Sequence, residues 1–139
     1  MSVYVLDTDT LSLFQQGQAE VVRRCLAQPP DRLAVTILTV QEQTLGWYTR
    51  LTRCRRDDET ARIYQRWCAF VAIVGQLRVW SFSEPAIRRY RQLEGLRLNV
   101  GKMDLRIAAV VLEEQGTLVT RNARDFGRVP GLVQVDWSV

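Results

Sequence analysis

Apolar residues along this chain follow two alternating rhythms: short continuous runs, and longer stretches repeating every three or four positions. Val3, Tyr4, Val5 and Leu6 form the first run, reading as a strand buried on both faces, and it stops abruptly at Asp7, Thr8, Asp9 and Thr10. Helical spacing follows over residues 10–16, stopped near Gly17, and again over 19–27 with Val21, Val22, Cys25 and Leu26 on one stripe. After the break at Pro29-Pro30-Asp31, the β-branched run over 33–37 predicts a second buried strand. A helix then starts from a cap at Thr36 or Thr39 and runs toward Thr52, which sets Glu42 in its first turn.

The mixed-charge run over residues 54–60 reads as a solvated turn before a helix over 58–75. There Ala61, Tyr64, Trp67, Cys68, Val71 and Val74 form a stripe expected to be core or dimer interface. A third strand over 77–82 leads to Ser83-Glu84-Pro85, a helix-opening signal. The helix it opens carries Arg88, Arg89, Arg91 and Arg97, a solvated basic face by default and a phosphate-facing one by hypothesis. A loop over 98–103 enters another helix with Asp104 in its first turn. Gly116 ends that helix, residues 117–120 make a fourth strand, Arg121 to Phe126 turn off its tip, and 133–135 form an edge strand.

Strands alternating with helices predict a three-layer α/β/α fold with a predominantly parallel sheet of four to five strands, joined by right-handed crossovers. Asp7, Glu42, Asp104 and Asp125 each follow a strand or open the next helix, so this architecture brings them to one edge of the sheet. Each has an ordinary alternative taken alone. Thr8 or Asp9 would serve as a helix cap, Thr39-x-x-Glu42 as a capping box, and Asp104 as a favourable charge at a helix N-terminus.

Composition narrows the chemistry. With 139 residues and 47% hydrophobic content the chain supports one domain over residues 1–139. The longest apolar run, Phe70 to Val74, is too short for a membrane span, and no signal peptide is expected; a cytoplasmic location is the matching expectation. Histidine is absent, and Cys25, Cys54 and Cys68 are widely spaced in predicted helices with no C-x-x-C pair, which removes the usual zinc ligand sets. Clustered carboxylates repel unless a cation neutralises them, and oxygen donors alone select Mg²⁺ or Mn²⁺. The net charge of +4 comes almost entirely from arginine, Lys102 being the only lysine, and suits nucleic acid or an acidic protein partner. A metal on such a protein would bind a phosphodiester oxygen and help ionise a water for in-line attack.

The motifs LDTDTLS, TILTVQEQTLG around Glu42, VGKMDLRIAA around Asp104, and LVTRNARDF followed by VPGL resemble the PIN-domain family, specifically its VapC-type toxins, over nearly the whole chain. The resemblance implies a Mg²⁺-dependent endoribonuclease that cuts tRNA or rRNA, commonly a homodimer, held inactive by a cognate VapB-type antitoxin. By the same resemblance Asp7 and Asp104 are metal ligands, Glu42 a ligand or water-orienting group, and Asp125 a weaker fourth acid. Thr8, Thr120 and Asn122 hold the carboxylates by hydrogen bonds. Asp9 stands where the family more often has Asn, adding a charge, and Asn122 where many members have Asp. Lys102, Arg106, Arg121 and Arg124 are the expected RNA contacts, and the helices carrying Trp47 and Trp67 the expected dimer surfaces.

Two other readings use the same residues. A haloacid-dehalogenase-like phosphatase also opens on D-x-D followed by Thr, but Asp7-Thr8-Asp9-Thr10-Leu11 lacks the usual spacer, and Asp57-Asp58 fall in a charged helix. A PIN-like fold with a degenerate metal site would bind RNA or protein without cleaving. Metal-dependent cleavage separates that module from the nuclease.

Overall fold

The computed structural model describes residues 2–139. Its centre is one sheet of strands β1 (Tyr4–Leu6), β2 (Leu33–Thr36), β3 (Arg78–Trp80), β4 (Thr117–Val119) and β5 (Gln134–Val135). All neighbouring pairs are parallel, in the order β3-β2-β1-β4-β5. The expected sheet is therefore present, with five strands.

Helices α1 (Thr8–Gln15) and α2 (Ala19–Leu26) connect β1 to β2; α3 (Ile37–Arg53) and α4 (Asp57–Val74) connect β2 to β3. Helices α5 (Glu84–Gly95) and α6 (Lys102–Glu113) connect β3 to β4, and the single turn α7 (Ala123–Phe126) follows β4. Strand alternation divides the core. Val5, Ala34 and Leu118 point to one face and pack with Ala86, Tyr90, Leu93 and the 107–111 run of α6. Leu6, Val35 and Val119 point to the other, against Leu11, Val21, Trp47, Ile63 and Phe70.

Three local expectations change. Helix α1 begins two residues earlier than predicted, because Asp7 itself is the cap and its side chain accepts the Thr10 N–H. On α3 the cap is Thr36, whose hydroxyl accepts the Thr39 N–H. Glu42 therefore lies beyond the first turn, and no Thr39–Glu42 capping box forms, because the Glu42 carboxylate is taken by Thr8 instead. Cys54 lies at the end of α3 rather than within a helix, and all three cysteines are free thiols.

The expected stripe on α4 is divided. Ile63 and Phe70 enter the core, whereas Tyr64 and Val71 are 53% and 59% exposed. Helix α4 packs mainly on α3, so only a narrow strip of it meets the core; a helix apolar on two sides buries the side carrying Ile63 and Phe70. The basic face of α5 is largely balanced: Arg88 pairs with Glu84, Arg89 with Glu113 and Arg91 with Glu94.

Candidate active site

In this strand order the chain winds outward one way through β2 and β3 and the other way through β5, so its direction reverses between β1 and β4. Parallel sheets form a crevice at that reversal, outside the strands' C-terminal ends. Asp7 leaves the tip of β1 there, and Thr120, Asn122 and Asp125 follow the tip of β4. The two tips are joined directly: the Asp7 N–H donates to the Val119 carbonyl at 3.1 Å, and the Thr10 hydroxyl donates to the same carbonyl at 3.1 Å.

Asp7 is only 6% exposed. Burial pushes its carboxyl above the usual range, while hydrogen bonds from Thr120 and from the Thr10 backbone pull it back. One oxygen, Oδ1, accepts the Thr10 N–H at 2.8 Å, so the start of α1 carries part of the cost of burying this charge.

Glu42 reaches the crevice from α3. The Thr8 hydroxyl donates to its Oε1 at 2.6 Å and lies 3.2 Å from the Thr39 hydroxyl, fixing the carboxylate across two helices. Asp104 is the third residue of α6, as expected. Its carboxyl is pushed up to about 6, first by burial and then by the charges of Glu42, Asp7 and Asp125. An acid at a helix N-terminus ordinarily ionises more easily; here burial and three neighbouring carboxylates outweigh the dipole. The expected acids therefore lie within electrostatic reach of one another, although they come from four different elements.

Asp125 is held on both oxygens. Asn122 Nδ2 donates to Oδ2 at 3.1 Å and Arg128 donates to Oδ1 at 3.1 Å, while the Thr120 hydroxyl accepts the Asn122 N–H at 2.9 Å. Asn122 thus orients the acid three residues on. Arg128, just past the end of α7, is absent from the sequence expectations, although its i+3 spacing from Asp125 is the available signal.

Two expectations about charge are revised. Asp9 forms a bidentate pair with Arg121, at 2.8 and 3.1 Å, on a half-exposed rim. Its extra charge is therefore met by Arg121, and that guanidinium is already engaged. Arg106 is half-buried and packs over the Tyr90 ring at 5.2 Å. Lys102 and Arg124 are exposed.

The donors fit a hard divalent cation: carboxylates and hydroxyls, with no imidazole available. Among the described residues no three acidic or cysteine side chains are drawn into a ready cluster of ligands, and like-charged groups without a counter-ion are expected to stand apart. Beside the acids runs a groove of about 720 Å³ between α1, α3 and α4, with Thr8 and Glu42 among its lining residues.

No family model matches the sequence. Ribonuclease VapC2 of Rickettsia felis is 41% identical over 47 residues, a match covering 34% of this chain and about a third, 35%, of that protein's length. Solved structures resemble the whole chain. A chain of the DNA-bound VapBC structure from Salmonella typhimurium matches with a TM-score of 0.81 at 22% identity, covering 99% of each chain. The VapBC2 structure from Rickettsia felis bound to a promoter DNA fragment matches at 0.75 and 22% identity, covering 97% of this chain and 98% of that one. At these identities the likeness shows the fold, which is that of the VapC-type PIN domain.

Proposed function

We propose that this chain, a VapC-type PIN domain by fold, is a divalent-metal-dependent endoribonuclease toxin acting on tRNA or rRNA in the cytoplasm and restrained by a cognate VapB-type antitoxin. The observation that carries the reading is the gathering of Asp7, Glu42, Asp104 and Asp125 at the sheet's reversal point, each near enough to shift the Asp104 carboxyl. The partial match to a named ribonuclease and the VapBC likeness support the same class. No described helix is long and apolar enough to cross a membrane.

Asp7 and Asp104 would hold Mg²⁺ or Mn²⁺, with Glu42 as a third ligand or as the group that orients water. When bound, such an ion polarises the scissile phosphate and offsets the charge that develops on the departing oxygen. The chain's own groups set the positions. Asp7 commits Oδ1 to the Thr10 N–H and so presents Oδ2 in a fixed direction. Glu42 commits Oε1 to Thr8, leaving Oε2 to accept a proton from the attacking water. Asp125 is anchored by Asn122 and Arg128 and closes the fourth side. The cluster repels the phosphodiester until the acids are neutralised, so cleavage requires the cation.

A homodimer completes the reading. Trp47 is buried and unavailable as a contact, but α4 leaves Tyr64, Cys68 and Val71 exposed along one stripe that would suit self-association.

The test is cleavage of total tRNA and rRNA by purified protein with Mg²⁺ or Mn²⁺, against EDTA and the Asp7→Asn and Asp104→Asn variants. Asn also caps helices well, so Asp7→Asn keeps the start of α1 while removing the charge. Metal-dependent cleavage lost in both variants is the expected result. Cleavage that persists in EDTA, or in both variants, would overturn the mechanism.

A further inference from the structure

The cleft between α3 and α4 contains an unassigned concentration of charge. Beyond the groove lined by Thr8 and Glu42 lies a second hollow of about 350 Å³, lined by Arg50, Arg53, Glu59, Arg62, Ile63 and Arg66. Arg50 and Arg66 line both spaces, so the two adjoin and together make a trough along α3 and α4 that starts beside Thr8 and Glu42. Its walls are two rows, Arg50 and Arg53 on α3 and Arg62 and Arg66 on α4, at helical spacings that place each pair on one face. All four are exposed, and none is ion-paired among the described residues. By contrast Arg23, Arg56, Arg88 and Arg91 all have carboxylate partners.

Unpaired guanidinium groups crowded into a trough repel one another, and a row of anions relieves that repulsion. Phosphate oxygens suit the planar fork of each arginine. Nearer the acids the trough carries side chains of another kind: the exposed Gln16 amide and Gln43, whose amide donates to the Ser12 hydroxyl, line the same wall. Cations along one stretch and amide donors along the next suit a polymer with both phosphates and base edges. A slot between two helices admits one strand rather than a duplex.

We propose that the α3–α4 trough is a binding track for single-stranded RNA, in which Arg50, Arg53, Arg62 and Arg66 hold successive backbone phosphates and lead the strand to the acid cluster. This deepens the nuclease reading and rests on it for the direction of the strand. It places the main RNA contacts on α3 and α4 rather than on Arg106, half-buried against Tyr90, or on Arg121, ion-paired to Asp9; Arg50 packs over the Trp47 ring at 5.1 Å but is exposed.

Binding is measured in EDTA by anisotropy of a fluorescent mixed-sequence RNA of about 16 nucleotides over a range of salt concentrations. Replacing the four track arginines by Gln is expected to weaken binding at least about ten-fold and to reduce the salt slope by about 0.7 for each phosphate that is no longer neutralised. The four Lys substitutions are expected to keep most of the slope. A control in which Arg23, Arg56, Arg88 and Arg91 become Gln removes equal charge and is expected to change affinity less than about three-fold. If the quadruple variant does not fold, Arg53→Gln with Arg62→Gln tests the outer hollow alone and is expected to give about half the slope change.

Equal weakening in the control would overturn the proposal, since net charge alone would then explain it. So would unchanged RNA affinity in the track variant, or RNA affinity kept while binding of a Glu-rich peptide is lost. Parallel cleavage assays with Mn²⁺ separate the two readings. Track-dependent binding without cleavage by any form would remove the nuclease and keep the track; cleavage with track-independent binding would do the reverse.

Discussion

Replacing Asp104 by Asn is expected to stabilise the folded protein while abolishing cleavage. The Asp104 carboxyl is raised from 3.8 to about 6 by burial and by Glu42, Asp7 and Asp125. Its folded-state value lies above its unfolded value, so the folded protein holds the proton more tightly. Asp104 therefore weakens stability as pH rises from about 4 to about 6, and the full penalty persists above that range. A shift of this size sets a ceiling of about 3 kcal/mol, and the half-exposure of the group reduces it to about 1.5. Asn loses the favourable interaction of a charge with the start of α6, about 0.5 kcal/mol. Among the described residues Asp104 accepts no hydrogen bond, so the substitution strands no donor. The net gain is about 1 kcal/mol at pH 7.5, or about 3 °C in thermal midpoint for a chain of this length.

Urea or thermal unfolding of both proteins at pH 4 and pH 7.5, in EDTA, isolates this term, because other titrating groups are shared and cancel in the difference. The gain should be present at pH 7.5 and largely gone at pH 4, where Asp104 is protonated in the wild type. Adding Mg²⁺ or Mn²⁺ at pH 7.5 should raise the wild-type midpoint and leave the variant nearly unmoved. A variant less stable than wild type at pH 7.5 would refute the electrostatic reasoning. So would a gain of equal size at both pH values.

Two further outcomes follow from the geometry. Thr8→Val removes the hydroxyl that fixes Glu42 and is expected to weaken activation by Mn²⁺ about ten- to a hundred-fold, read as the Mn²⁺ concentration giving half-maximal cleavage, with the fold intact by circular dichroism. Gly116→Ala would place a Cβ 2.8 Å from the Trp80 ring and 3.1 Å from the Val3 carbonyl, between rigid neighbours, and is expected to cost about 1–3 kcal/mol in urea unfolding.

The central strands were legible because burial on both faces leaves continuous apolar runs that few other elements share. Val35, Val5 and Leu118 are fully buried, and the runs around them were read in place. Asp104 was placed correctly in the first turn of its helix, since Gly101 and the apolar run after it fix the start. Glu42 was placed too early because Thr36 and Thr39 have the same capping chemistry three residues apart, and only the strand's true end decides between them. Of the two alternatives for the α4 stripe, the core takes only part of it: Trp67 and Val74 pack against the core, whereas Tyr64 and Val71 continue an exposed face, because position against α3 buries the side carrying Ile63 and Phe70. The Asp9–Arg121 pair spans the reversal between β1 and β4, so nothing near either residue announces it.

The anchoring of the acids explains why the site's charge balance turns on Asp104. Asp7 has the start of α1, Glu42 has Thr8, and Asp125 has Asn122 and Arg128, each partner being local to its carboxylate or one element away. These contacts hold each of the three carboxylates in position. Asp104 faces the other three without such a partner among the described residues, and burial first, then their unneutralised field, raises its proton affinity. A proton relieves that field when pH falls, and a divalent cation held by Asp7 and Asp104 would relieve it at neutral pH. The same arrangement makes the unneutralised crevice hostile to a phosphodiester, whereas the arginine trough beside it is attractive at any pH a cell maintains. In the proposed mechanism, RNA held on the trough and a cation held on the acids are therefore separable requirements, one assigned to α3 and α4 and the other to the tips of β1 and β4 together with Glu42 and Asp104.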